Sequence, residues 1–184
     1  MRRLDRSKAA LAVIDIQERL LPVIDRHDEV EKNAERLIRG CHVLEVPVLV
    51  TEQYAKGLGP TVGSLKQALE ESGGYAPIEK LCFSSYGCAG FASKLRDLGR
   101  SQVILCGIET HVCVHQTALD LLDAGFGVWI VADAVSSRRA ENRAIALDRM
   151  VQEGVKLTST EMALFELTGV AGTEAFRAIS KLVK

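Results

Sequence analysis

The stretch that decides the fold is QVILCGIETHVCVHQTALDLLDAGFGVWIVAD, residues 102–133. It opens with a nearly continuous apolar run at 102–107 and closes with another at 127–133. Strands that are buried on both faces have this character, and parallel sheets are buried on both faces. The pattern between the runs is helical and ends at Gly125, where a glycine commonly closes a helix. The stretch therefore predicts a strand, a helix and a second, parallel strand.

The same alternation extends outward along the chain in both directions. Further strand candidates lie at 9–16, 46–52, 78–83 and 155–159. Helical patterns separate them, and two of these patterns also end in a glycine, at Gly99 and Gly154. Alternation of this kind predicts an α/β fold with three layers, α/β/α. Its centre is an open, mostly parallel, six-stranded sheet of Rossmann-like type.

The composition predicts an ordinary globular protein. Apolar residues make up 47% and charged residues 26%, with a formal net charge of -1 over 184 residues. Lys and Arg are spread along the chain, so no basic stripe argues for nucleic acid or for an anionic membrane surface. No window approaches the roughly 20 apolar residues of a membrane helix, and the charged start does not fit a signal peptide. We expect one domain over residues 1–184, located in the cytoplasm.

The cysteines do not form a recognisable disulfide or zinc pattern. The five are Cys41, Cys82, Cys88, Cys106 and Cys113. Their number is odd, their spacings are wide and no C-x-x-C occurs, which disfavours a disulfide framework and a structural zinc site. Free cysteines are usually buried, and four of the five are interpreted as core thiols. Cys113 differs because it stands near the start of a helix, where free N–H groups lower the pKa of a thiol.

Two charged residues stand where burial is expected. Asp15 lies inside an apolar run, and Lys80 lies between Ile78 and Leu81 in a short strand candidate. Taken singly, each has a plain interpretation as a turn-closing aspartate or a solvated lysine. A buried carboxylate is costly unless it is paired. The two residues are therefore candidates for a buried ion pair at the carboxyl end of the sheet, where ligands bind in such folds.

Two histidines flank Cys113 and raise the possibility of a metal site. His111 and His115 are four residues apart and share a helix face, whereas Cys113 points elsewhere on that helix. The loop at 51–63 supplies no histidine as a third ligand. No G-x-G-x-x-G follows the first strand, which disfavours nucleotide binding. The sequence therefore predicts no metal and no cofactor.

Three segments, taken in order, resemble a known family. They are ALAVIDIQERL with Asp15, EKLCFSSYG with Lys80, and LCGIETHVCV with Cys113. Their order and approximate spacing are similar to the Asp-Lys-Cys triad of the isochorismatase-like cysteine hydrolases, which include nicotinamidases and N-carbamoylsarcosine amidases. Segments at 50–62 and 131–167 resemble one subgroup, the isochorismatase domain-containing hydrolases.

The resemblance implies a role for each residue of the triad. Cys113 would attack a carbonyl carbon, Asp15 would take the thiol proton and pass it to the leaving amine, and Lys80 would balance the charge. It also implies a cis peptide bond between Ile108 and Glu109. The N–H groups of Glu109 and Cys113 would then form an oxyanion hole, a feature that often raises the rate by about a hundredfold or more.

The departures from the family narrow the expected activity. Nicotinamidases of the superfamily bind a metal through histidines after the second strand, and isochorismatases proper lack the cysteine. We therefore expect a metal-independent hydrolase of small amides or related C–N or acyl compounds, which forms a homo-oligomer as relatives with this fold usually do. The substrate-binding candidates are Gln17, Tyr54, Phe83 and Tyr86.

Three alternatives stay open on the sequence alone. The first is a non-catalytic binding or scaffold protein that keeps a hydrolase fold. The second is activity of the nicotinamidase or isochorismatase type. The third is a redox protein in which Cys113 pairs with Cys82 or Cys88.

Overall fold

A computed structural model describes residues 2–184 of the chain. Its strands are β1 (Ala9–Ile14), β2 (Val48–Gln53), β3 (Ile78–Lys80), β4 (Gln102–Ile108), β5 (Gly127–Ser136) and β6 (Lys156–Thr158). They form one sheet in the order β3-β2-β1-β4-β5-β6, and every neighbouring pair is parallel. The predicted α/β class and the six-stranded parallel sheet are confirmed.

Helices cover both faces of this sheet. They are α1 (His27–Val43), α2 (Ala55–Leu58), α3 (Gly63–Glu71), α4 (Ala89–Asp97), α5 (His115–Asp123), α6 (Ala140–Gln152), α7 (Thr160–Thr168) and α8 (Glu174–Leu182). The three predicted helix-closing glycines have φ angles of +62° at Gly99, +87° at Gly125 and +100° at Gly154. None of the helices within residues 2–184 combines the length and apolarity that a bilayer crossing requires.

Each face of the sheet has its own hydrophobic core. Leu11 and Val13 of β1 belong to the cluster under α1, α3, α7 and α8. Ala12 and Ile14 belong to the cluster under α4, α5 and α6. Because successive residues of β1 enter opposite cores, the strand needs apolar side chains on both faces. This is the physical reason for the continuous apolar runs in the sequence.

Several elements end at places that the sequence pattern did not predict. The run at 9–16 stops being a strand at Ile14, because Asp15 takes a left-handed φ of +54°. β5 continues to Ser136, which pairs in register with Ile108 of β4. The strand expected at 78–83 ends at Lys80, so that the residues after it form a surface loop.

Successive strands are added on one side of β1 up to β3 and on its other side from β4 onward. Gly107 allows β1 and β4 to approach each other closely. β1 pairs with β2 on one side and with β4 on the other, which marks a topological switch point. Gly107 has φ +130°, and a Cβ there would lie 2.1 Å from the carbonyl oxygen of Ile14. Only glycine fits at this position. The residues that follow Ile14 and Ile108 therefore come together at the carboxyl edge of the sheet.

Candidate active site

Asp15 and Lys80 form a buried ion pair at this edge. Lys80 Nζ lies 2.7 Å from Asp15 Oδ2, and both side chains are 0% exposed. The hydroxyl of Thr51, at the end of β2, donates to the other carboxylate oxygen, Oδ1, at 2.7 Å. The structure thus contains the ion pair that the sequence predicted.

The Lys80 ammonium is held by neutral oxygens as well as by the carboxylate. It donates to Gln53 Oε1 at 2.8 Å, to the carbonyl of Phe83 at 2.9 Å and to the carbonyl of Cys82 at 3.3 Å. A buried charge is tolerated when hydrogen bonds satisfy it in this way. The surface loop after β3 and the end of β2 therefore fix the position of the charge.

Cys113 lies in a π-helical turn, Thr110–Val114, between β4 and α5. Burial raises the pKa of the Cys113 thiol to about 12; Asp15 raises this pKa further and Lys80 opposes it. The expectation that a helix start would lower this pKa is therefore wrong, because desolvation and the adjacent carboxylate outweigh it. Asp15 and Lys80 therefore both lie close enough to Cys113 to act on the pKa of its thiol. At neutral pH the group is a thiol beside a carboxylate.

The Cys113 turn is tied to the loop that follows β3. The hydroxyl of Thr117 donates to the carbonyl of Cys113 at 2.6 Å and accepts from the backbone N–H of Ser85 at 2.8 Å. Both Ser85 and Thr117 are fully buried. A single hydroxyl thus connects the segments that carry Cys113 and Lys80.

Glu109 links β4 to the segment after β5. The peptide bond between Ile108 and Glu109 is cis, at the position that the family resemblance implies. The carbonyl of Glu109 accepts from the N–H groups of Val112 and Val114 at 3.1 and 3.3 Å. Its buried carboxylate accepts from the backbone N–H of Arg138 at 2.8 Å and from Arg138 Nε at 3.1 Å.

The side chain of Gln17 is bound to backbone groups at the end of β2 and in the loop after it. It is fully buried, and its Nε2 donates to the carbonyls of Gln53 and Gly59 at 3.0 and 2.7 Å. Its Oε1 accepts from the N–H of Gln53 at 2.8 Å. The Gln17 amide thus connects the segment after β1 to the end of β2 and the loop that follows it, and substrate binding by Gln17 stays a prediction.

The other predicted substrate-binding residues lie nearer the surface. Tyr54 is exposed and lines a cleft of about 330 Å³ together with Lys80 and Leu81. Phe83 is exposed, and its carbonyl accepts from Lys80. Tyr86 is half-buried and packs edge-on against Phe126, with ring centroids 5.8 Å apart. Tyr54 and Phe83 are therefore near Lys80, and substrate binding by these three residues stays a prediction.

The two histidines that flank Cys113 differ in their surroundings. His111 Nδ1 lies 3.0 Å from the Ser137 hydroxyl, and its Nε2 lies 3.4 Å from Asn142 Nδ2. Burial lowers the pKa of His115, and the charge of Arg149 lowers it further. Over residues 2–184, no three His, Cys, Asp or Glu side chains are grouped as metal ligands.

The remaining cysteines divide into two classes. Cys41 and Cys106 are buried in the core, as expected. Cys82 is exposed and Cys88 is partly exposed, so their assignment to the core is wrong. Both lie in the loop after β3, and the sequence interpretation had continued the strand through Cys82 to residue 83. All five cysteines are free thiols.

Residues at the end of β2 have partners that the sequence did not reveal. Thr51 and Gln53 reach Asp15 and Lys80. Glu52, between them, accepts from the N–H of Thr61 at 2.7 Å and from its hydroxyl at 2.8 Å, and also accepts from the Tyr75 hydroxyl. The only signal in the sequence is that three consecutive polar residues end a strand. Such residues indicate that a site lies nearby, but they do not reveal which groups they contact.

Comparison with known proteins finds similarity along most of the chain. The isochorismatase domain model matches residues 9–162. Isochorismatase domain-containing protein 2 from Danio rerio is 43% identical over 182 residues, covering 98% of this chain and 89% of the relative.

Two solved structures have the same fold over nearly the whole chain. The MAR1 ribonuclease of Caenorhabditis elegans is 39% identical with a TM-score of 0.90, covering 98% of this chain and 92% of that one. The YcaC protein of Escherichia coli, described as an octameric hydrolase of unknown specificity, is 26% identical with a TM-score of 0.90. That match covers 99% of this chain and 91% of YcaC.

Proposed function

Because the chain belongs to the isochorismatase family, we propose that it is a metal-independent cysteine hydrolase of small amides or related C–N or acyl compounds. The observation that carries this proposal is the buried Asp15–Lys80 pair, whose charges both act on the Cys113 thiol. A nucleophile, a base and a compensating cation at one sheet edge are the parts that acyl transfer needs.

The first half-reaction forms an acyl-enzyme. Cys113 Sγ attacks the carbonyl carbon while Asp15 takes the thiol proton, and the carbonyl π electrons move to oxygen. The N–H groups of Glu109 and Cys113 stabilise that oxyanion. When the C–N bond breaks, the proton passes from Asp15 to the leaving amine. An acyl group remains on sulfur.

The second half-reaction releases the acid. Water attacks the thioester carbon, and Asp15 takes the proton of the water. The C–S bond breaks, and sulfur regains a proton from Asp15. The starting thiol and the starting carboxylate are restored, so the cycle balances without a metal, a cofactor or a redox partner.

The raised pKa of Cys113 fits general-base chemistry. A thiol with a pKa of about 12 is protonated at neutral pH and needs a base at the moment of attack. Asp15 is the proposed base, and Lys80 would balance its charge through their direct contact at 2.7 Å. The site thus makes its nucleophile during the reaction instead of storing a thiolate.

The domain extent, cellular location and oligomeric state that we propose also follow from the family. Residues 1–184 act as one hydrolase domain in the cytoplasm, and the chain forms a homo-oligomer. The octameric description of YcaC supports the last point. Exposed Tyr54, Leu81 and Phe83 at the site rim supply apolar surface that association would cover.

RNA cleavage is the second candidate, because the C. elegans neighbour is called a ribonuclease. The charge pattern argues for a small-molecule substrate, since this chain has a formal net charge of -1 and no basic stripe. Single-stranded RNA is still included in the substrate panel, beside amides, carbamoyl compounds and esters, so that this second candidate is tested directly.

The deciding experiment is acyl trapping on Cys113. The protein is incubated with p-nitrophenyl acetate and with the substrate panel, and acylated peptides are located by mass spectrometry. We expect an adduct on Cys113, its loss in Cys113→Ala, and acylation about 10²- to 10⁴-fold slower in Asp15→Asn. The exposed thiol variant Cys82→Ser is the matched control and should retain the adduct.

Other outcomes point to the alternatives. Absence of acylation and turnover, together with a tight protein partner, would favour a scaffold. Turnover of RNA that survives Cys113→Ala would favour the ribonuclease. Activity that is lost on chelation would contradict metal independence.

A further inference from the structure

The structure contains a charge that opposes the proposed chemistry. The carboxylate of Glu109 is buried, and it belongs to the residue whose N–H is proposed to stabilise the oxyanion. A negative charge at that place disfavours the negative charge that develops on the carbonyl oxygen. The oxyanion is therefore stabilised best when a positively charged group compensates the charge of Glu109.

Arg138 is placed to cancel it. The guanidinium Nε of Arg138 lies 3.2 Å from Glu109 Oε1 and 3.1 Å from Oε2, and the backbone N–H of Arg138 donates to Oε2 at 2.8 Å. The contact arises from sheet register, because Ser136 of β5 lies opposite Ile108 of β4. The segments that leave these two strand ends carry the cation and the carboxylate, and they are therefore adjacent.

The pairing is poorly suited to a purely structural role. The Arg138 side chain is 62% exposed, and ion pairs with a solvated partner contribute little to stability. The backbone N–H of Arg138 holds the Glu109 carboxylate whether or not the guanidinium is present. Stability therefore gives little reason for the guanidinium to lie beside Glu109, and its charge is the property that remains to be explained.

We propose that Arg138 is a charge-compensating, positioning residue for acyl transfer, which neutralises the Glu109 carboxylate beside the oxyanion. The inference rests on the proposed function and adds a residue outside the Asp15, Lys80 and Cys113 triad. Arg138 acts through Glu109 and needs no contact with the substrate.

The test compares two reactions of the same thiol. Acylation by p-nitrophenyl acetate passes through an oxyanion, whereas alkylation by iodoacetamide displaces iodide and does not. Both are measured in a Cys82→Ser, Cys88→Ser background, with mass spectrometry to confirm modification at Cys113. The variants are Arg138→Met, Glu109→Gln and the two combined. Arg139→Met is the matched control, since Arg139 is an exposed arginine in the same segment.

We expect Arg138→Met to slow acylation about tenfold, because a unit charge roughly 10 Å away at an effective dielectric constant of about 20 has an effect of that order. Alkylation and the thermal midpoint should stay close to those of the parent. Glu109→Gln should acylate about threefold faster, since it leaves a positive charge beside the oxyanion. The combined variant should recover most of the loss, and Arg139→Met should acylate at the parent rate.

Three results would overturn the inference. The first is unchanged acylation in Arg138→Met. The second is a loss that Glu109→Gln does not restore, which would mean that Arg138 contacts the substrate directly. The third is an equal loss of alkylation, which would mean that the Cys113 turn itself has moved. A parent protein that is never acylated on Cys113 is a different failure, because it removes the proposed function and this inference together.

Discussion

The amino edge of the sheet, where its parallel strands begin, and the carboxyl edge, where they end, contain the same kinds of charged pairs in opposite environments. At the amino edge, Arg6 and Glu45 lie 3.4 Å apart with side chains 48% and 84% exposed. At the carboxyl edge, Lys80 and Asp15 lie 2.7 Å apart with side chains 0% exposed. Both pairs join a basic side chain to a carboxylate. Burial and the number of supporting hydrogen bonds differ, and these decide how much each charge matters.

The difference has a simple physical origin. Removing two charges from water costs several kcal/mol per ion, and the attraction within the pair offsets this only with good geometry and further hydrogen bonds. The carboxyl edge supplies them through Thr51, Gln53 and two backbone carbonyls. The amino edge has solvent instead, so its pairs are weak and screened by salt.

Removing one member of the buried pair should have the largest effect. Lys80→Met keeps most of the length of the side chain but leaves the Asp15 carboxylate without its cation. We expect the free energy of unfolding to fall by about 3–5 kcal/mol, measured by urea denaturation at pH 7. Enzymatic activity should be lost as well.

The double variant Asp15→Asn, Lys80→Met separates charge from packing. It removes the Asp15 carboxylate charge that Lys80→Met alone leaves unpaired, and the asparagine amide keeps an oxygen that can accept from the Thr51 hydroxyl. We expect the double variant to be more stable than Lys80→Met alone. If the two variants were equally destabilised, packing around Lys80 would matter more than its charge, and the contrast between the edges would lose its basis.

Gly107 should rank second, since it allows the two halves of the carboxyl edge to meet. In Gly107→Ala the new Cβ would lie 2.1 Å from the Ile14 carbonyl oxygen at φ +130°. We expect a loss of about 3 kcal/mol, from steric overlap and backbone strain, in thermal or urea unfolding. Gly63→Ala is the control, because nothing lies within 4 Å of a Cβ there. A small effect at Gly107 would mean that β1 and β4 separate easily.

The pH dependence of Cys113 alkylation is the third test. The pKa of this thiol is raised to about 12 by burial and by Asp15. The thiolate fraction should therefore rise about tenfold per pH unit from about pH 7 to pH 10, and the iodoacetamide rate should follow it. The raised pKa also means that the stability contributed by the protonated thiol is complete below about pH 8.5 and is lost as the pH increases toward 12. A rate plateau near pH 7 would contradict the buried-thiol description.

The sequence predicted the fold because its signals are local and repeated. The apolar runs at 102–107 and 127–133 report burial on both faces, and both became strands of the parallel sheet. The end of β1 was harder to predict, since Asp15 at its left-handed turn is bonded to Thr51 of β2, which is 36 residues away. Strand order also depends on contacts between distant segments, which periodicity does not report.

The site was predictable only in part for the same reason. Asp15 and Lys80 stood out as charges in apolar runs, and the structure pairs them. The amide of Gln17 looked equally polar, yet its partners are backbone groups 36 and 42 residues away. The pKa of Cys113 was predicted in the wrong direction, because a helix start is visible in the sequence and desolvation is not.

The smallest effect is expected at the amino edge. Arg6→Met breaks the exposed pair with Glu45, and the free energy of unfolding should change by less than about 0.5 kcal/mol. The Glu45→Gln variant should behave alike, and the double-mutant coupling should fall toward zero as salt is added. A coupling above about 1 kcal/mol would show that exposure alone does not distinguish the two edges. The local backbone conformation at Glu45, which has a left-handed φ of +56°, would then be needed together with burial to explain the strength of the ion pair.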